Sequence, residues 1–320
     1  VLHHLLLPET AFRRDIDDPE VPAGVARIIG DQDLLRVLAL LSVADAKATG
    51  PDMWNPWKET LLRNLVGKVT TLLEGTVSDL PAELMKSLVN KAAGISPAEI
   101  DSHLQAMPPG YLARFGPDLV AHHLRLASPP PVDSEIRTTV LPGAPVSTLV
   151  TASRDRPGLL ATIAGGLALH NLTVLEARIV TRADGVALDT FRVQDALGSD
   201  MIGQGRWPAI RETLERATGG EIDLRARLAE KRAAYPVGGE SRRVTVVVYR
   251  SSNGLVVELE AGDRIGLLHD LGAAMADLGL EVDLAKIDTR GGQALDVFQV
   301  RNPRQHSEAD ITTSLRKVAS

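Results

Sequence analysis

Two short stretches carry the residue types that a small charged metabolite would need. Asp155-Arg156-Pro157-Gly158-Leu159-Leu160 returns 108 residues later as Asp263-Arg264-Ile265-Gly266-Leu267-Leu268. Each places a carboxylate, a guanidinium and a glycine just ahead of an apolar run that reads as a helix. A helix start offers unpaired N–H groups and a partial positive charge, which suit an anion. Glycine there lets backbone approach a ligand, because no Cβ intervenes. A second carboxylate follows each loop: Asp189 in Ala187-Leu188-Asp189-x-Phe191, and Asp296 in Ala294-Leu295-Asp296-x-Phe298. Donors for a carboxylate beside carboxylates for an ammonium make a site for a free amino acid. The candidates are Asp155, Arg156, Pro157, Gly158, Leu159 and Asp189 in the first copy. In the second they are Asp263, Arg264, Gly266, Leu267 and Asp296. A structural reading stands beside this one, since Asp before a helix is often a cap, glycine a tight turn, and Asp at a strand start a partner of nearby backbone.

The elements that must hold these residues repeat too. From each leading Asp, matching Leu-x-Val, Ala-x-Ile and Asp-x-Phe positions follow at offsets of 17, 22 and 34 in the first copy and 17, 22 and 33 in the second. A shared order over some 35 residues implies a duplicated domain. In the first copy, 146–153, 172–181 and 186–194 read as strands, and 157–170 and 206–218 as helices. In the second, strands are expected at 244–250, 255–262 and across a hairpin at 281–300, with helices at 266–278 and 307–318. Strand-helix-strand-strand-helix is the ferredoxin-like order, βαββαβ when complete, an antiparallel sheet with both helices on one face. Its first and third strands are central neighbours, which sets Asp189 beside the Asp155 loop and Asp296 beside the Asp263 loop. Proline presets φ for a first helical turn; Ile265 replaces it in the second copy, so the first loop is expected to be the firmer site.

Ahead of the repeat the chain reads as helical, giving an α+β protein with a helical N-terminal part. Leu34 to Ala44 is apolar almost all round and predicts a buried helix. Gly50-Pro51 stops it, another helix runs from about Pro56 to Glu74, and 79–127 is again helical. Ser128-Pro129-Pro130-Pro131 is a stiff extended hinge. The expected divisions are 1–75, a helical linker over 76–140, and the two repeat domains over 141–235 and 240–320.

Composition narrows the function classes. No apolar run approaches the roughly 18 residues of a membrane span, and no signal-peptide pattern opens the chain. Zero cysteines exclude disulfides and thiolate metal sites and fit a cytoplasmic protein. A net charge of −6 with ten aromatic residues argues against nucleic acid, which calls for basic grooves and stacking rings. The start at Val1, directly into Leu2-His3-His4-Leu5-Leu6-Leu7, reads as a cut inside a larger protein.

Asp45 follows the apolar helix, and a buried carboxylate requires a metal, a base or a cap. His3-His4 and His122-His123 are adjacent pairs; neighbours on a helix point about 100° apart, so each pair reads as an amphipathic surface and not as a chelate.

Each repeat resembles an ACT domain, a small ferredoxin-like module that pairs side by side and binds amino acids at the interface. The front adds Ala11-x-Arg13-Arg14-Asp15-Ile16-x-Asp18-Pro19, Leu41-Ser42-Val43-Ala44-Asp45 and Trp54-Asn55-x-Trp57-Lys58. Tyr111-x-x-Arg114-Phe115-x-Pro117 and Ala121-His122-His123 follow. In this order the motifs resemble the bifunctional uridylyltransferase/uridylyl-removing enzymes that modify the PII nitrogen-signalling protein. The resemblance implies a nucleotidyltransferase domain, a metal-dependent HD hydrolase domain and two ACT domains that sense L-glutamine. It implies that Asp45 is the later Asp of the HD metal site, with His4 a histidine of the same domain, and that Mg2+ or Mn2+ serves the parent enzyme while none binds this segment tightly. The expected partners are L-glutamine and PII, with an ACT-mediated dimer and neither nucleic acid nor membrane. A stand-alone amino-acid sensor and an HD–ACT guanosine tetraphosphate synthetase/hydrolase are the alternatives; the latter family usually has one ACT unit and lacks the Trp-Asn-x-Trp-Lys stretch.

Overall fold

The computed structural model describes residues 3–49, 54, 56–74, 80–235, 244–251, 254–290 and 292–320. They form two compact units, Val1–Leu124 and Arg125–Ser320.

The first unit is helical. Helices α1 (Leu6–Arg13), α2 (Glu20–Ile29) and α3 (Gln32–Thr49) pack on α4 (Pro56–Leu73). Their meeting faces bury Leu7, Ile16, Val25, Leu35, Leu38, Leu61, Leu65 and Val69. The apolar run of α3 is not buried all round, contrary to its pattern. Leu35 and Leu38 face the core, whereas Val37 is 59% and Leu40 72% exposed. Helices α4, α1 and α2 all meet α3 on its core side, α4 the most extensively, and leave the opposite side open. Helices α5 (Leu80–Lys91), α6 (Pro97–Gln105) and α7 (Tyr111–Ala127) follow. Ser96 and Glu99 form a reciprocal cap at the start of α6.

Two of the resemblance stretches meet inside this unit. Arg114 Nε donates to the buried carboxylate of Asp15 at 2.8 Å. The Tyr111 hydroxyl lies 2.6 Å from Nδ1 of His123 and 3.2 Å from Nε2 of His103. His123 is fully buried, not part of an amphipathic surface. Burial, then the neighbouring His103 and His122, push its pKa down to about 3.

The second unit carries one antiparallel sheet of eight strands. In chain order these are β1 (Ile136–Leu141), β2 (Ser147–Arg154), β3 (Leu172–Thr181), β4 (Val186–Asp195), β5 (Thr245–Ser251), β6 (Gly254–Gly262), β7 (Glu281–Arg290) and β8 (Gln293–Arg301). Across the sheet the order is β1-β2-β4-β3-β7-β8-β6-β5. Each half is ferredoxin-like with its edge strand first in sequence, so the chain runs ββαββα instead of βαββαβ. The first edge strand, β1, begins inside the stretch read as helical linker. Its residues 136–141 pair with β2 from Ile136↔Ser153 to Leu141↔Thr148, and the β-branched Ile136, Thr138, Thr139 and Val140 suit a pleated strand.

Helices α8 (Leu159–Leu169) and α9 (Trp207–Thr218) cover the first half, with α10 (Leu224–Ala234) after them; α11 (Leu267–Asp277) and α12 (Glu308–Ala319) cover the second. The halves join within one chain, through β3 and β7 at Glu176↔Lys286, Ala177↔Ala285 and Arg178↔Leu284. Opposite charges face each other at the first of these positions. On the helix-covered side Phe191 and Phe298 are completely buried at matching places. Each ring removes on the order of 150–250 Å² from water, about 4–6 kcal/mol at ~25 cal/mol per Å² as an upper figure.

Helices α8 and α11 pack directly on each other. A Cβ at Gly165 would lie 2.8 Å from Nδ1 of His269, and one at Gly272 would lie 3.3 Å from the Ala161 nitrogen. The start of each helix thus presses on the middle of the other, as an approximate two-fold axis requires, and the small residues permit that distance.

Candidate functional site

The repeated loops close their strands identically. The Asp155 N–H donates to the Gly185 carbonyl at 2.9 Å, and the Asp263 N–H donates to Gly292 at 3.0 Å. Each carboxylate accepts from a threonine 26 residues on: Thr181 Oγ1 to Asp155 Oδ2 at 2.8 Å, and Thr289 Oγ1 to Asp263 Oδ2 at 3.1 Å. Neither Asp caps the following helix. Gly158 and Gly266 are the N-caps, at φ 82° and 77°, and neither start has a side-chain cap. That left-handed backbone explains glycine at both places.

The two arginines each hold the end of a helix, and Arg264 also lines the cavity at the second loop. Arg156 donates to the carbonyl of Thr218, the last residue of α9, at 2.8 Å. Arg264 donates to the Val318 carbonyl near the end of α12 at 2.9 Å and pairs with Asp270. A guanidinium on a helix C-terminus meets the negative end of its dipole. Pro157 is exposed at the bend, while Leu159 and Leu267 point into the core.

The later carboxylates are the unusual groups. Register sets Asp189 opposite Thr151 on β2 and Ile179 on β3, and Asp296 opposite Leu259 on β6 and Ile287 on β7. Strand alternation puts Ala187, Asp189 and Phe191 on one face, and Ala294, Asp296 and Phe298 likewise. The aspartates therefore point to the helix-covered side. They are 1% and 2% exposed, and one oxygen of each, Oδ1, has no hydrogen-bond partner. Burial pushes the pKa of Asp189 well up from the usual carboxylate value, and Asp155 pushes it further. Burial does the same for Asp296, followed by Asp263 and Asp288. Asp263 is itself raised by burial, partly offset by the Thr289 hydrogen bond.

A cavity of about 170 Å³ opens at the second loop. Asp263, Gly266, Thr289 and Asp296 of the second copy line it together with Ala168 and Asn171, from the end of α8 and the turn into β3. It lies between the two copies and is smaller than the ~300–1,000 Å³ of drug-sized pockets, a size suited to one small metabolite. The second loop is also the better covered: Asp263 and Ile265 are half-buried and Gly266 buried, where Asp155 and Pro157 are exposed. Proline in the first loop therefore did not mark the more enclosed position.

Several members of this site carried no obvious mark in the sequence. Thr181 and Thr289 did repeat, in Ile179-x-Thr181-Arg182 and Ile287-x-Thr289-Arg290. Asn171 and Lys231 did not, because they meet across 60 residues: Lys231 Nζ donates to Asn171 Oδ1 at 2.6 Å.

At the front, Asp45 lies inside α3, which continues to Thr49, and its side chain is exposed; its carbonyl accepts from Thr49 Oγ1 at 2.8 Å. It is therefore neither a buried carboxylate nor at a helix end. His4 is half-buried just before α1. Among the described residues no group of three or more His, Cys, Asp or Glu could hold a metal ion. Trp57 packs against the first core and Lys58 is buried with its ammonium over the Phe12 ring; Asn55 lies outside the described residues. Among those residues no helix is long and apolar enough to cross a membrane.

No family model matches the chain. Curated relatives do. The bifunctional uridylyltransferase/uridylyl-removing enzyme of Gluconobacter oxydans is 37% identical over 94% of this chain. Those of Streptomyces coelicolor and Caulobacter vibrioides are 34% and 33% identical over 94% and 99% of it. Along its length, the chain is homologous to part of these enzymes. It spans 33–37% of the relatives' own length. The matched stretch covers both the helical front and the sheet unit of this chain and so extends well beyond the two loops.

Proposed function

We propose that this chain is the C-terminal regulatory part of a PII uridylyltransferase/uridylyl-removing enzyme, with the two halves of the sheet acting as an ACT pair that senses L-glutamine. Binding there controls the balance between modification and demodification of PII, in the cytoplasm; the nucleotide is transferred in the remaining two thirds of the relatives' length, and residues 1–75 are the C-terminal portion of the hydrolase domain that removes it. The observation that supports this best is the cavity between the copies, where the unpartnered oxygen of Asp296 and the carboxylate of Asp263 stand beside the uncapped start of α11. An α-ammonium suits the carboxylates and an α-carboxylate suits the helix start. A divalent metal for the removal step needs more donors than Asp45 and His4, and no chemistry is assigned to them.

Thermal unfolding with and without L-glutamine tests the reading. A ligand at 100 times its Kd stabilises the state that binds it by about 2.7 kcal/mol. A rise in the melting temperature of the sheet unit is expected with L-glutamine, and a much smaller one in Asp263→Ala. Equal shifts with every amino acid tried, or none with any, would defeat the proposal.

A further inference from the structure

The two loops are alike in sequence, but the walls facing them are not. Asn171 stands 16 residues after Asp155, and Gly279 stands 16 after Asp263. The two-fold arrangement of α8 and α11 therefore sets Asn171 across from the second loop and Gly279 across from the first. Asn171 adopts φ 55° and lines the cavity. Its Oδ1 is held by the ammonium of Lys231, which also donates to the carbonyls of Ala168 at 2.7 Å and Leu169 at 2.8 Å. An ammonium only donates, so the amide oxygen must turn to it, and the NH2 is the polar end left for the cavity.

Position 279 is different. It has no side chain, and Arg304 fills the space where one would project: a Cβ there would lie 2.6 Å from Arg304 Cζ. Arg304 donates to the Asp277 carbonyl at 3.2 Å, in the place that Lys231 takes on Leu169 in the other half. The lysine presents an amide to a ligand; the arginine covers a glycine. Helix α10 adds to the inequality. Its Leu228 packs 3.0 Å from where a Cβ of Gly266 would stand, and its Arg232 pairs with Asp270 at 3.1 Å, so α10 braces the second loop.

We infer that the pair is functionally one-sided: a single amino-acid site lies at Asp263–Leu268 and Asp296, completed across the interface by the Asn171 amide, while the first loop is its structural counterpart and takes no ligand. This rests on the amino-acid reading given above and fixes the number and place of the sites. Asp189, though buried like Asp296, then belongs to the fold of the first half and not to the ligand.

Isothermal titration of the whole 320-residue chain with L-glutamine tests it. One equivalent should bind. Asn171→Gly keeps a backbone compatible with φ 55°, and Asn171→Asp keeps the acceptor for Lys231 while losing the NH2. Both should weaken binding about tenfold, the effect of one hydrogen bond near the upper end of its usual range, with unchanged circular dichroism. Asp296→Asn should weaken it at least as much, and Asp189→Asn should stay within about twofold of the parent chain. Two equivalents, or equal weakening by Asp189→Asn and Asp296→Asn, would overturn the one-sided arrangement while leaving amino-acid sensing intact. No heat with the unaltered chain would bring down the sensing proposal and this inference together.

Discussion

Replacing Asp296 with Asn should change how stability depends on pH, and the sign follows from the burial of the carboxyl. In the folded chain this group is 2% exposed, has an oxygen without a partner, and sits near Asp263 and Asp288. All of these disfavour its anion, burial most. The charged and titratable neighbours elsewhere do not reverse this: Arg264 is committed to Asp270 and the Val318 carbonyl, and His269 to the Ala161 carbonyl. In the unfolded chain the same carboxyl titrates near the ordinary ~3.9. Between that value and the raised folded one, the folded chain keeps a proton that the unfolded chain has lost. The stabilisation is therefore complete below ~3.9 and disappears as pH climbs through the folded value, by about 1.4 kcal/mol per pH unit for one such group. Asp189 adds an equal slope, about 2.7 kcal/mol per unit for the two. His123 and His170 act in the opposite sense below their ordinary value of 6.5, because burial keeps them neutral. Subtracting variant from parent cancels their contribution. Urea unfolding followed by circular dichroism of the sheet, from about pH 4.5 to 6.5, measures the difference. The stability of the parent minus that of Asp296→Asn should fall as pH rises above the ordinary carboxylate value, at about 1.4 kcal/mol per unit until the folded group ionises. Parallel curves would mean that Asp296 is ionised in the fold, and the reasoning from its dry, unpartnered oxygen would be wrong.

Two further outcomes concern local structure. Gly266→Ala forces a Cβ into φ 77° and to 3.0 Å from Leu228, so a loss of about 1–2 kcal/mol or more is expected, against a smaller loss for Gly158→Ala, where no atom lies within 4 Å of the added carbon; chemical denaturation compares them. Tyr111→Phe removes the hydroxyl between His103 and His123, and the loss of these two buried hydrogen bonds should cost the helical unit about 1–3 kcal/mol, seen as a lower melting temperature with little change in helix content.

The duplicated half was legible because each copy makes the same contacts over short separations. A loop Asp bonds a threonine 26 residues away, and Ala-x-Asp-x-Phe sets its carboxylate on the core face by strand alternation alone. What stayed illegible depends on partners far along the chain. The strand at 136–141 carries an alternation weakened by Arg137 and two threonines, and only its pairing with β2 distinguishes it from the preceding helical stretch. The exposure of Val37 and Leu40 is set by which side of α3 meets the other helices, and an all-apolar run contains no information on that side. The same limit hid the difference between the two loops. Read as sequences, they differ by a proline that argues for the first. Read as surfaces, they differ by what faces them: an amide at 171 or a glycine at 279, an ammonium from α10 or a guanidinium from residue 304. Duplication copied the loops together with their aspartates, but the residues facing them, Asn171 and Gly279, differ, and on that difference rests the proposal of one site in place of two. Under the one-site proposal the chain should bind its ligand along a simple saturation curve, with no cooperativity between the two halves of this sheet.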